Sequence, residues 1–176
     1  MLYWSAWQAQ RAVDLQERNN WARLQLLQPM YNLVKRQAEV EILPMAEANG
    51  IGVIPYSPAG AGLLSGKYSC AASGRLKTNK MYEARYGEAW MFEVADKFVA
   101  FCKQKGLHPV SAAIAWVGAH PAITAPIVGA RNLEQLQDSL NAVKVDMTPA
   151  LRAEISALSR TPPPATDRLE EIRPPK

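Results

Sequence analysis

The stretch GIGVIPYSPAGAGLLSGKY, residues 50–68, decides the fold that we expect for this chain. It opens with a short β-branched run, residues 50–56, bounded by glycine and proline, which is typical of a strand buried in a sheet. A loop rich in small residues follows directly. A second apolar run, residues 24–28 (LQLLQ), stops in the same way at Pro29. We therefore predict two buried strands that both lead into loops.

Amphipathic segments surround these strands. Apolar periodicity predicts helices over residues 6–18, 35–49, 88–105, 111–119, 132–142 and 148–158, and a third strand over 122–128. Residues 57–87 lack periodicity, so we expect a long loop there. Strands that alternate with helices favour right-handed β-α-β units, hence an α/β chain with a parallel sheet and outer helices. The pattern leaves a barrel and a doubly wound sheet open, although no G-x-G-x-x-G follows any of these strands.

Composition narrows the function classes. With 176 residues, 48% of them hydrophobic, the chain has material for one domain with a sizeable core. The net charge of +4 is spread along the helices, so nucleic acid is not an expected partner. No apolar run reaches membrane-spanning length and no secretion signal is evident, which predicts a cytoplasmic protein without a membrane partner. Cys70 and Cys102 fit neither a disulfide framework nor a metal site.

Five short motifs identify a family when they are taken in order. They are QPMYN (28–32), GVIPYSP (52–58), GLLSGKY (62–68), IVGARN (127–132) and EQL (134–136). From Ser5 to Leu158 the chain resembles the late strands of the aldo-keto reductase superfamily, NADP-dependent oxidoreductases that reduce aldehydes and ketones by hydride transfer. The resemblance implies a partial (β/α)8 TIM-type barrel, its C-terminal half, over residues 1–160. Residues 161–176 are expected to form a Pro-rich exposed tail.

The same resemblance implies an NADP(H) site at the carboxyl ends of the strands. Gln28 matches the family glutamine that binds the nicotinamide carboxamide, and Tyr56 matches the aromatic residue that stacks on the nicotinamide ring. The loop that would wrap the pyrophosphate has small residues, which let backbone N–H groups approach phosphate oxygens. Its members are Ser57, Pro58, Ala59, Gly60 and Ala61.

Further positions imply contacts to the rest of the cofactor. Lys67 and Arg75 would add positive charge beside the loop, and Arg131 matches the contact to the 2′-phosphate of NADP. Gly129 belongs to the same segment. Adenine-side contacts are expected from Gln135, Asp138 and Ser139, although the family commonly has Glu and Asn at the last two positions.

The catalytic positions of the family have no counterpart in this sequence. The family's Asp, Tyr, Lys and His come with earlier strands, and its Ser-Asn pair would align with Leu2-Tyr3. His108 and His120 match no catalytic position, so we expect surface or capping roles for them. The interpretation is a truncated, inactive fragment of an oxidoreductase. Two alternatives are a noncatalytic NADP-binding regulatory module, resembling potassium-channel β subunits, and a nonfunctional truncated gene product.

An open half-barrel has a physical consequence. It would expose strand edges and one side of its apolar helices, and both favour association. We therefore expect the chain to self-associate or to pair with a complementary half-barrel.

Overall fold

The computed structural model describes residues 4–68 and 80–166. Its strands are β1 (Leu26–Leu27) and β2 (Gly52–Val53). Its helices are α1 (Ala6–Asn19), α2 (Ile42–Ala48), α3 (Lys80–Tyr86), α4 (Ala89–Gln104), α5 (Pro109–Gly118), α6 (Leu133–Leu140) and α7 (Pro149–Ala157). Short 3₁₀ turns span Gln37–Glu39 and Asn141–Lys144, and the 3₁₀ segment Gly60–Ser65 is interrupted by a kink at Ala61 and Gly62.

The two strands are parallel, and Leu27 lies opposite Val53. The pairing continues past the regular strands, because the Tyr56 N–H donates to the Pro29 carbonyl at 3.1 Å and Met30 forms a parallel bridge with Tyr56. The carboxyl ends of both strands therefore lie at the same edge. The predicted α/β class with parallel strands is confirmed for this pair.

The third predicted strand, residues 122–128, is wrong as a regular strand. The segment is extended beside β2, with Thr124 N–H donating to Val53 O and Ile127 N–H donating to Pro55 O, both at 2.8 Å. However, the Val53 N–H donates to the hydroxyl oxygen Oγ1 of Thr124 at 3.0 Å instead of to a backbone carbonyl. Pro126 in addition has no N–H to donate. The regular ladder of backbone hydrogen bonds is therefore interrupted, by the Thr124 hydroxyl at one point and by Pro126 at another.

Two other predictions also need correction. The single helix over 35–49 is wrong, because a 3₁₀ turn precedes α2, which begins at Ile42. Pro44 explains the break, since its ring cannot donate to the carbonyl of Val40 and would clash with it in a continuous helix. The long loop over 57–87 is wrong in part, because it contains the Gly60–Ser65 turn and α3. The other predicted helices are confirmed with ends shifted by one or two residues.

The core lies between the strands and the helices packed on them. Its largest fully buried side chains include Trp116, Tyr31, Tyr86 and Phe98, each contributing on the order of 2–3 kcal/mol through burial.

A buried polar network fastens α7 to the segment after β1. The Tyr31 hydroxyl donates to Glu39 at 2.6 Å and accepts from Arg152 at 3.1 Å. Burial, reinforced by the Glu39 carboxylate, raises the pKa of Tyr31, so the phenol stays protonated and donates.

Among the described helices, none combines the length and the apolar character that crossing a bilayer requires.

Candidate functional site

A cavity of about 640 Å³ opens where the chain leaves the carboxyl end of β2. Four segments form its wall: the loop and 3₁₀ turn after β2, the first turns of α5, the extended segment 127–131, and one face of α6. The lining residues are Ser57, Pro58, Ala59, Ala61, Gly62, Ser65, Lys67, His108, Val110, Ile114, Ile127, Val128, Gly129, Ala130, Arg131, Gln135, Asp138 and Ser139.

Most of the residues expected to bind the cofactor meet at this cavity. They are Ser57, Pro58, Ala59, Ala61, Lys67, Gly129, Arg131, Gln135, Asp138 and Ser139. Gln28 and Tyr56 are not part of the lining and lie half-buried just after the paired strands. Gly60 is buried beneath the loop, where an added Cβ would contact Leu63 at 3.5 Å. Arg75 lies outside the described residues.

The backbone of the cavity loop is tightly coiled. Ser57, Gly60, Ala61 and Gly62 have φ values of 57°, 59°, 55° and 89°. For Ser57 and Ala61 this left-handed conformation costs about 1–2 kcal/mol each, because Cβ crowds the carbonyl that follows. Such strain persists only where surrounding contacts hold it, and it concentrates at ligand sites.

Asn32 supplies one of those contacts, and the sequence analysis gave it no role. Its side chain is fully buried. The amide Nδ2 donates to the Ser57 carbonyl at 3.0 Å and to the Tyr86 hydroxyl at 3.1 Å, while Oδ1 accepts from the Val34 N–H at 3.1 Å. All of its principal hydrogen-bonding groups are used, and they join the loops that follow β1 and β2. The sequence feature that could have indicated this role is the position of a polar residue between Tyr31 and Leu33, two residues with large apolar side chains.

Lys67 lies directly over the loop. The Lys67 ammonium nitrogen lies 2.7 Å from the point that a Cβ on Gly62 would occupy, so this side chain reaches across Gly62, whose φ of 89° favours glycine. The ammonium also lies 5.0 Å from the centroid of the Tyr68 ring, within range of a cation–π contact. An exposed positive charge is thus held beside the small residues of the loop.

The N-terminus of α6 is ordered by side-chain caps. Asn132 accepts from the Gln135 N–H at 2.9 Å, and Gln135 Oε1 accepts from the Arg131 N–H at 3.1 Å. Gln135 and Asp138 line the cavity from one face of α6, and Arg131 lines it from the extended segment before the Asn132 cap. Ser139 is buried, and its hydroxyl donates to the Gln135 carbonyl at 2.9 Å.

His108 is a second residue that the sequence analysis did not assign to the site. It is the residue before α5, as expected for a capping position, but its ring lines the cavity and its Nε2 lies 3.7 Å from the Asp138 carboxylate. Only the packing of α5 against α6 makes this visible, because thirty residues separate the two side chains.

The family model for the aldo/keto reductase family matches residues 3–160. The chain belongs to the aldo/keto reductase family. The resemblance seen in the ordered motifs is therefore confirmed, and the cavity is a feature of an aldo/keto reductase chain.

Three relatives show the range of similarity within this family. The chain is 36% identical over 143 residues to "Uncharacterized oxidoreductase YrpG" of Bacillus subtilis (strain 168), covering 81% of this chain and 43% of the relative. It is 28% identical over 149 residues to "Versiconal hemiacetal acetate reductase" of Aspergillus parasiticus, covering 82% and 43%. It is 29% identical over 185 residues to "Probable voltage-gated potassium channel subunit beta" of Oryza sativa subsp. japonica, covering 94% and 54%. The aldo/keto reductase chain thus spans about half the length of these curated relatives.

Proposed function

We propose that this aldo/keto reductase chain forms the NADP(H)-binding, C-terminal half of a (β/α)8-barrel oxidoreductase, with the half-barrel over residues 1–160 and an exposed tail over 161–176. The observation that carries the proposal is the cavity. Segments far apart in sequence, from Ser57 to Ser139, bring the expected phosphate-loop and adenine-side residues to one wall. Parallel strand ends are also where ligands bind in folds of this kind.

The chemistry of the cavity fits a phosphorylated dinucleotide. Its volume of about 640 Å³ falls in the range of roughly 300–1,000 Å³ that is usual for small-molecule and cofactor sites. Lys67 and Arg131 are exposed there, and neither forms an ion pair with a carboxylate of residues 4–68 or 80–166. Phosphate oxygens would complete the coordination of both cations. Arg75 would add to this charge, and Arg131 would favour NADP(H) over the form without the 2′-phosphate.

Two half-buried side chains are proposed to hold the nicotinamide end. Gln28 and Tyr56 follow adjacent parallel strands, so the amide and the phenol ring emerge from the same edge. The Gln28 amide would bind the carboxamide, and the Tyr56 ring would pack on one face of the nicotinamide. The bound cofactor supplies the hydride that reduces an aldehyde or ketone.

We further propose that the 176-residue chain binds the cofactor without reducing a carbonyl compound. In this family a tyrosine protonates the carbonyl oxygen, and no tyrosine is among the described residues that line the cavity. The expected result is no oxidation of NADPH above background with a small aldehyde. Saturable turnover that is abolished by Tyr56→Phe would overturn this part of the proposal.

A noncatalytic regulatory module is the second candidate. The observation that favours it is the similarity to the potassium channel subunit beta of Oryza sativa, which covers 94% of this chain. A regulatory module requires cofactor binding but not turnover. Binding of NADPH together with a response of a partner protein to that binding would support this candidate.

An exposed apolar stripe supports association with another polypeptide. Leu133, Leu136, Leu140 and Val143 follow one another at spacings of three and four residues, with 78%, 37%, 52% and 88% exposure. Within the described residues β1 pairs only with β2, and Leu26 is 46% exposed at that edge. We propose that a complementary half-barrel or a second copy covers these surfaces.

Size-exclusion chromatography tests the association. We expect the chain to elute with an apparent mass larger than that of one chain. In the double variant Leu140→Lys/Val143→Lys, the apparent mass should shift toward that of the monomer. The matched control is Gln137→Lys, which adds charge on the same helix at an exposed polar position. A soluble monomer that melts cooperatively without any partner would contradict the proposal.

Calorimetric titration with NADPH tests the cofactor site. Losing one charge-assisted phosphate contact costs roughly 1.5–3 kcal/mol, so Arg131→Ala should weaken binding by about tenfold or more. Arg11→Ala, an exposed arginine of α1 outside the cavity, is the control and should bind as the unsubstituted chain does. Equal affinities for both variants, or no binding by the unsubstituted chain, would overturn the proposed site.

A further inference from the structure

Residues 128–131 connect the extended segment beside β2 to the start of α6, and they are exposed. The last bond of the preceding segment to β2 runs from the Ile127 N–H to the Pro55 carbonyl at 2.8 Å. Over residues 128–131, one hydrogen bond involves a backbone group among the described parts of the chain: the Arg131 N–H donates to Gln135 Oε1 at 3.1 Å. The Gln135 side chain is therefore the polar contact that fixes this stretch relative to α6.

Gln135 is itself anchored to the core. Its N–H donates to the Asn132 side-chain oxygen at 2.9 Å, and its carbonyl accepts from the Ser139 hydroxyl at 2.9 Å. Ser139 is buried, and the carbonyl of the residue before it, Asp138, accepts from the hydroxyl of the buried Ser111 of α5 at 2.6 Å. The bond from Gln135 to the backbone before α6 thus extends a chain of contacts that begins on the buried face of α5.

This arrangement gives Gln135 a role that differs from the adenine-side contact expected from the sequence. Its amide oxygen already accepts from the Arg131 N–H, so that oxygen is committed within the chain. Fixing the N–H restricts the backbone that carries the Arg131 side chain at the cavity wall. A binding group that is ordered before its ligand arrives loses less conformational freedom on binding, which raises the affinity.

We propose that Gln135 is a positioning residue for the 2′-phosphate contact: its amide oxygen holds the backbone of Arg131 so that the guanidinium meets the 2′-phosphate of NADP(H). The inference rests on the proposed cofactor-binding function and on the contact proposed for Arg131. Because NAD(H) has a hydroxyl in place of that phosphate, loss of the Gln135 oxygen should affect the binding of NADP(H) alone. Gln135 thus contributes to the cofactor preference through Arg131.

Titration of NADPH and NADH into four forms of the chain tests the inference: unsubstituted, Gln135→Met, Arg131→Ala and the double variant. Methionine keeps the length of the side chain and removes the acceptor oxygen. Gln135→Met should weaken NADPH binding roughly three- to tenfold, as the loss of one ordinary hydrogen bond does, and should leave NADH binding within about twofold. In the Arg131→Ala background the same change should alter NADPH binding by less than about twofold, because the contact that Gln135 positions is gone.

The matched control is Gln137→Met, the same substitution on the same helix. Gln137 lies outside the cavity lining and its amide donates to Asn141 at 3.2 Å, so this variant also loses one exposed side-chain hydrogen bond. It should bind NADPH as the unsubstituted chain does.

The outcomes separate this inference from the proposed function. Equal weakening of NADPH and NADH binding by Gln135→Met, no weakening of either, or additive effects of the Gln135 and Arg131 changes would overturn the inference while leaving the cofactor site in place. Absence of NADPH binding by the unsubstituted chain would overturn both.

Solvent exchange of the Arg131 amide, measured by NMR in the chain without cofactor, is an independent readout. The exchange should be faster in Gln135→Met than in the unsubstituted chain, whereas Gln135→Glu retains an acceptor oxygen and should keep the amide protected. An unchanged exchange rate in Gln135→Met would overturn the inference. Thermal melts of each variant accompany these measurements, and Gln135→Ala replaces Gln135→Met if the latter does not fold.

Discussion

The side-chain amide of Asn32 donates a hydrogen bond to the backbone carbonyl of Ser57 across 3.0 Å. This bond joins the segment after β1 to the cavity loop after β2, at the residue where that loop enters the left-handed conformation. A buried amide with its hydrogen bonds made is a strong positional constraint, because breaking it leaves buried groups unpaired. The cavity loop is thus fixed from beneath by a residue that does not line the cavity.

Replacing Asn32 by alanine should destabilise the chain by about 2–4 kcal/mol, since the Ser57 carbonyl, the Tyr86 hydroxyl and the Val34 N–H would each lose a partner. Urea denaturation measures the change. Gln137→Ala, at an exposed helical position, is the control and should alter stability by less than about 0.5 kcal/mol. A loss for Asn32→Ala no larger than that of the control would show that the buried amide does not hold the loop.

Two alanine-to-glycine changes should have opposite signs. Ala61 has a φ of 55°, so glycine there should relieve strain and stabilise the chain by about 0.5–1 kcal/mol. Ala153 lies exposed within α7, where glycine should destabilise by about 1 kcal/mol. Thermal melts compare the two variants. Destabilisation by both changes would mean that the loop carries no strain at Ala61.

Stability should fall as the pH drops below neutrality, in part through His120. Burial lowers the pKa of His120, and the nearby Arg152 lowers it further. The folded-state pKa lies below the unfolded value of about 6.5, so the folded chain favours the neutral ring. The stability that the neutral ring contributes is therefore lost as the pH falls from about 6.5 through the lower, folded-state pKa.

The variant His120→Asn isolates this effect. Its amide oxygen can accept from the Ala122 N–H, as the ring Nδ1 does at 3.2 Å, but it does not titrate. Between pH 7.5 and 5.5 the melting temperature of the unsubstituted chain should therefore fall more steeply than that of the variant. Parallel curves would exclude His120 as a source of the pH dependence.

The Cys102 thiol should be inert in the folded chain. It is fully buried in α4, and burial raises its pKa to about 12, so thiolate is scarce at neutral pH. In a Cys70→Ser background, a thiol-reactive disulfide reagent at pH 8 should label Cys102 only after unfolding by urea. Fast labelling of the native chain would show that α4 opens readily.

Sequence patterns predicted the elements that depend on neighbouring residues, namely the helices and the ends of two strands. Apolar periodicity located the helices, because each one buries a stripe against the core, and glycine and proline marked the ends of β1 and β2. The third strand escaped correct prediction, because its regular ladder is replaced by the Thr124 hydroxyl and interrupted at Pro126. Whether a side chain takes a ladder bond depends on a neighbour far away in sequence.

The site divides in the same way. The ordered motifs indicated residues such as Ser57 and Arg131, because each of these residues belongs to a short motif that can be recognised from the local sequence. Asn32 and His108 act through partners 25 and 30 residues away, and only the packing brings those partners into contact. Long-range pairing of this kind leaves little trace in a single sequence.

Hydrogen–deuterium exchange with and without saturating NADPH tests the central claim most directly, because it locates the bound cofactor. The account predicts slower exchange in two separate segments, residues 57–66 and 129–139, and unchanged exchange in α1. Saturable NADPH binding that protects other segments and leaves these two unaffected, or no protection anywhere, would contradict the assignment of this cavity as the cofactor site.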